Sequence, residues 1–120
     1  MPTRTTGSEA APGPTHVNTV CLLGRLAADP ESRDLPSGDL LLTFRVVVDR
    51  NDAVSGQRRQ VDTIDCAVWS GRVQRSVRSW SAGDVVTVEG HLRRRFWRSG
   101  GGATSRVEVE VTRARRAMQG

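Results

Sequence analysis

Lysine is absent from this 120-residue chain: all 18 basic residues are arginine. A GC-rich genome accounts for such a bias, although the planar arginine fork, which pairs with phosphate and stacks on bases, also suits nucleic acid. The two cysteines, Cys21 and Cys66, have neither a CxxC spacing nor nearby histidines, which excludes a thiolate metal site. So few cysteines fit a reduced, cytoplasmic protein. No apolar run approaches the roughly 18 residues needed to cross a bilayer, so no membrane partner is expected. Met1 to Thr15 is rich in Pro, Thr, Gly and Ser but has no apolar h-region, so it is not a signal peptide. Residues 1–16 read as a disordered leader.

Catalytic constellations are missing as well. There is no Gly-rich phosphate loop and no nucleophile motif. Asp62 and Asp65 are three apart on a predicted strand and point to opposite faces. Glu108 and Glu110 share a face but alternate with Val107, Val109 and Val111, as an ordinary solvent row does. His16 falls in the leader, and His91 stands alone among arginines. Neither an enzyme nor a metal or cofactor is expected.

What is present is positive charge. The formal net charge is +5, which points to an anionic partner. The length suits one domain with a modest core. The hydrophobic fraction of 37% is low, so subunit contacts are expected to complete some apolar surface.

Val17 to Leu26 is β-rich, and residues 27–39 are dense in Pro, Asp, Ser and Gly and read as a loop. Leu40 to Asp49 forms a second strand, with Phe44, Val46 and Val48 facing the interior. Val61 to Trp69 alternates, placing Ile64, Cys66 and Val68 on one face and Trp69 on the outward one. The period then changes. Val73, Val77 and Trp80 make one helical stripe within residues 70–82, with Ser70 at the N-cap position and Gly83 as the stop. Val85 to Glu89 returns to strand, Gly90 permits a bulge, and the strand continues from His91 to Trp97. Residues 99–102 form a hairpin loop before a last strand, Thr104 to Val111. The expected fold is all-β: a five-stranded oligonucleotide-binding barrel with a short helix between strands three and four.

Asn18-Thr19-Val20, Leu22, Gly24-Arg25-Leu26, Asp29-Pro30-Glu31 and Arg33 resemble the opening of bacterial single-stranded-DNA-binding proteins. Val88-Glu89-Gly90-His91-Leu92-Arg93 resembles that family's VEGxLR signature, with a basic and aromatic continuation. The likeness spans about Val17 to Ala114, with the DNA-binding domain set at residues 17–113 and a short basic tail at 114–120. It implies a cytoplasmic, nucleoid-associated homotetramer that wraps single-stranded DNA without sequence preference, in replication, repair and recombination. It also implies pairing of the first strand with its copy in a neighbouring subunit. The nearly continuous apolar run Val20 to Leu23 agrees, since it lacks a polar face. Cys21 then either packs reduced as a small hydrophobe or bridges two subunits.

Alternation places Arg93, Arg95 and Trp97 together on an outward face, the arrangement needed for phosphate contact and base stacking. Leu92, Arg94 and Phe96 fall on the side claimed by the barrel interior. The candidate DNA-binding set is Trp69, Arg72, Arg93, Arg95 and Trp97, with Phe96 from the same basic and aromatic segment. Trp69 matches a DNA-contacting aromatic of the family, or else packs on the helix or a neighbouring subunit. Arg72 is a phosphate contact or a solvated helix residue. Arg113, Arg115 and Arg116 add a diffuse electrostatic contribution.

The chain also departs from the family. Thr63 and Ile64 stand where an aromatic is common, and the loop from Asn51 to Gln60 has no Trp. Asp65 lies on the expected DNA face. The chain closes on basic residues instead of an acidic, Phe-capped peptide, so tail-mediated recruitment of replication enzymes is not expected. The rival reading is a barrel of the same fold that binds RNA or serves as a protein-contact subunit in a replication or primosome assembly.

Overall fold

The structure, a computed structural model, describes residues 15–50 and 60–120. The expectations placed on residues 1–14 and on the loop 51–59 lie outside the described residues. Six strands and one helix follow in the order β1 (Val20–Leu26), β2 (Glu31–Asp34), β3 (Leu40–Asp49), β4 (Val61–Val68), α1 (Gly71–Val77), β5 (Val85–Ser99) and β6 (Gly102–Met118).

The barrel closes through five of the strands. β1 pairs with β5, β5 with β6, β6 with β4 and β4 with β3, and β3 returns to β1. The β4–β6 contact is parallel, through Cys66↔Val109 and Ala67↔Glu110. β1 meets β3 at Arg25↔Val47 and Leu26↔Val46. Gly24 permits that closure, because a Cβ there would sit 2.3 Å from the Val47 carbonyl oxygen. The oligonucleotide-binding barrel expected from the strand order is the fold observed.

β2 is the strand that the pattern did not announce. Its four residues, Glu-Ser-Arg-Asp, are all exposed. They pair with β3 from Glu31↔Thr43 to Asp34↔Leu40. A strand held by backbone hydrogen bonds alone leaves no apolar alternation to read.

The core gathers the inward residues of every barrel strand: Leu26, Phe44, Val46, Val68, Val86, Val88 and Val109 are all buried. α1 covers one end of this core with Val73 and Val77. It is shorter than the predicted helix. Trp80 lies in the turn that follows and sets its ring edge-on to Phe44 at 5.4 Å, so its core placement holds. Ser70 occupies the N-cap position without making a side-chain cap bond. The helix ends at Val77, capped by Arg78, so Gly83 (φ +89°) serves the later turn into β5 and does not stop the helix. Gln74 is buried and ties the helix down, its Nε2 donating to the carbonyls of Leu40 (2.8 Å) and Val68 (2.9 Å).

β5 and β6, of 15 and 17 residues, are the longest strands among the described residues. Their register shifts at Glu89/Gly90, the bulge expected at that glycine. A Cβ on Gly90 would meet the Glu110 carbonyl oxygen at 2.0 Å. β6 runs on through Met118, beyond the predicted end at Val111, so Arg113, Arg115 and Arg116 stand on a paired strand.

Candidate nucleic-acid interface

Beyond Gly90 both faces of β5 meet solvent, although β6 across from it is still buried at Glu108 and Val109. Leu92 is 46% exposed and Phe96 69% exposed, so the barrel interior does not claim that side. Strand parity holds there, but parity says nothing about where a core stops.

The opposite face carries Arg93, Arg95 and Trp97 together, as alternation requires. Arg93 Nε donates to Glu110 at 2.9 Å, and Arg95 Nε donates to Glu108. Glu108 is only 5% exposed, which corrects its reading as a solvent residue. The guanidinium of Arg95 covers its carboxylate, and an ion pair is what makes burying that charge tolerable.

This face forms one wall of a groove of about 680 Å³. β5 and β6 supply Arg95, Phe96, Trp97, Arg106 and Glu108, β3 and β4 supply Arg45 and Asp65, and the β1–β2 segment supplies the opposite side. Trp69 stands at the end of β4, half-buried, with the Arg95 guanidinium 4.7 Å above its ring. Its indole N–H is buried and makes no hydrogen bond within the protein. Trp97 is 42% exposed, with Arg106 at 5.7 Å from its ring. Asp65 joins two arginines, at 2.9 Å from Arg45 Nε and 4.0 Å from Arg106 Nε.

Of the six candidate residues, the groove therefore unites Trp69, Arg95, Phe96 and Trp97. Arg93 lies further down the hairpin, and Arg72 lies on α1; neither lines the groove. Arg45 and Arg106 line it although nothing in the residue pattern marks them, and Arg33, which carries part of the family resemblance, lines it too. A basic residue paired across strands with an acidic one gives no local signal in the sequence. Among the described residues, four arginines (33, 45, 95, 106) and four carboxylates (Asp29, Glu31, Asp65, Glu108) line the groove.

Asn18, which carries part of the family resemblance, makes contacts that the residue pattern did not mark. Its side chain accepts from Leu92 N–H and donates to Leu92 C=O, both at 2.8 Å, and its own carbonyl oxygen lies 2.8 Å from His91 Nδ1. His91 thus helps anchor the base of the hairpin and does not stand alone. Among the described residues no cluster of His, Cys, Asp or Glu could hold a metal ion, and no helix is long and apolar enough to cross a membrane.

Comparison with known proteins gives the family and the fold. Residues 17–117 match the single-strand binding protein family. Single-stranded DNA-binding protein A of Bacillus subtilis is 33% identical over 79 residues, which are 66% of this chain and 46% of that protein. The single-stranded DNA-binding protein of Oceanobacillus iheyensis is 30% identical over 79% of this chain and 59% of its own length. This chain spans about half the length of such relatives. The Plasmodium falciparum SSB solved in complex with single-stranded DNA shares the fold at a TM-score of 0.73, with 18% identity, covering 87% of this chain and 97% of that one. With a family match from residue 17 to residue 117 and a closed barrel of the same topology, this chain belongs to the single-strand binding protein family.

Proposed function

We propose that the groove binds single-stranded DNA without sequence preference and without catalysis. One observation carries this reading: Phe96 and Trp97 stand exposed beside Arg95 and Arg106, on a hairpin outside the core. Exposed aromatics need a covering partner, and every base has a face on which to stack. The arginines are presented for phosphate. Arg45, Arg93 and Arg95 each spend Nε on a carboxylate, which steadies the fork.

The same reading includes a homotetramer. β1 pairs with β3 only at Arg25 and Leu26, so on that side the edge from Val20 to Gly24 has no strand partner among the described residues. Its outer face presents Cys21 and Leu23, the latter 61% exposed. An open apolar edge calls for a partner, and a second copy across a two-fold axis offers a self-complementary one.

Titration of tryptophan emission with oligo-dT, in competition with duplex DNA and with RNA, tests the binding. Quenching saturated by oligo-dT and resisted by the competitors is expected. Preference for RNA, or no response to oligo-dT, overturns the proposal.

A further inference from the structure

The excess positive charge of this chain does not lie in its groove. Four arginines and four carboxylates line it, so its described lining is formally neutral, and the net charge of +5 is carried elsewhere. One concentration of it is on α1 and its C-cap. Arg72, Arg75 and Arg78 recur every third residue, on the side left to solvent once Val73, Gln74 and Val77 are buried. Among the described residues none of the three has an ion-pair partner.

The stability of the helix does not explain the row as a whole. Like charges three apart repel, and Arg72 sits in the first turn, where the macrodipole disfavours a cation. That turn has no acidic residue, and Ser70 makes no cap bond. The seven-residue helix thus has an unfavourable cation at its start and repulsion along the row, while Arg75 in the last turn and Arg78 at the C-cap are favoured by the dipole. The row also begins three residues after Trp69, at the edge of the groove.

We propose that single-stranded DNA leaves the groove at Trp69 and continues across the outer face of α1, its phosphates on Arg72, Arg75 and Arg78. This rests on the groove reading and divides the labour within it. The groove supplies stacking with little net charge, and the helix supplies the salt-sensitive attraction. A strand too short to reach α1 then binds with a shallow salt dependence, and a longer one gains slope.

The test compares the parent with Arg72→Gln/Arg75→Gln/Arg78→Gln on oligo-dT of about 6 and about 20 nucleotides, bracketing the span of one such fold. On a single strand, the slope of log affinity against log salt falls by about 0.7 for each phosphate that is no longer neutralised. On the long strand the variant is therefore expected to be shallower by about 2, while the short strand binds both proteins alike. Circular dichroism confirms the fold, and single Gln variants, each expected to lose about a third of the change, serve if the triple variant does not fold. An unchanged slope on the long strand overturns the proposal, as does equal weakening on both lengths. An equal slope change with duplex of the same length also overturns it, since α1 is then a general polyanion surface. Failure of the short strand to bind the parent is a different result: it strikes the groove reading, not the helix track.

Discussion

Arg95 holds two neighbours at once: its Nε donates to the carboxylate of Glu108, and its guanidinium lies 4.7 Å over the ring of Trp69. One face of Trp69 is thereby occupied, and Trp80 is buried. Phe96 and Trp97, the latter with Arg106 5.7 Å from its ring, remain as exposed stacking platforms. Trp97→Ala is expected to weaken oligo-dT binding by about 1–3 kcal/mol and to remove most of the emission quenching. Because Trp97 lies outside the core, its unfolding midpoint should move little. Trp69→Ala should cost stability as well as binding. Parent-like titration by Trp97→Ala would remove the stacking assignment.

Asp65 restrains the groove. Its carboxylate offsets part of the charge of Arg45 and Arg106 at the place where phosphate is to bind. Asp65→Asn is expected to raise single-strand affinity and to steepen the salt slope by up to about 0.7, the increment for one further neutralised phosphate. The partly exposed pairs contribute roughly 0–1 kcal/mol to folding, so the stability loss should be small. Filter binding at several salt concentrations checks both, and weaker binding by the variant contradicts the idea.

Cys66 should be chemically silent in the folded protein. Burial, helped by Asp65 and Glu108, pushes its thiol pKa up to about 12. At pH 8 it stays protonated and sheltered, and a disulfide-exchange reagent is expected to reach it only after unfolding. Rapid reaction of the Cys21→Ser variant at pH 8 contradicts this.

Acid should loosen the turn into β5. Asp84 accepts from the backbone N–H groups of Gly120 (2.9 Å) and Ser81 (2.8 Å), with Arg116 3.6 Å away. These contacts hold its carboxyl below the ordinary 3.8. A depressed folded-state value means that the stabilisation is complete above pH 3.8 and is lost as pH falls from there through the lower folded value. Thermal melts of the parent and Asp84→Asn should differ at pH 7 and converge towards pH 2. A constant difference across that range excludes the linkage.

Leu23→Glu tests the assembly, because it places a charge on the exposed face of β1. Light scattering is expected to give a tetramer for the parent and species approaching the 13.1 kDa chain for the variant. In a Cys66→Ser background, Cys21 should label faster in Leu23→Glu than in the parent, where the neighbouring subunit covers it. A parent that is itself monomeric at micromolar concentration ends the tetramer reading.

The sequence by itself determined the barrel. Period-two runs of Val, Leu and Phe marked the five strands that share a core, and the Val73–Val77–Trp80 stripe marked the segment that covers one end. Gly90 announced its bulge, and the outward side of Arg93, Arg95 and Trp97 followed from strand parity. These are local consequences of side-chain alternation, and alternation survives whatever the strand meets in space. Only the tertiary structure decided what lies across from each residue. It set β2 on β3 through backbone bonds, carried the hairpin beyond the core so that Phe96 is exposed, buried Glu108 under Arg95, and paired Asp65 with two arginines from other strands. Burial and charge pairing depend on neighbours distant in the chain, and a one-dimensional pattern of apolar and polar residues does not record who those neighbours are.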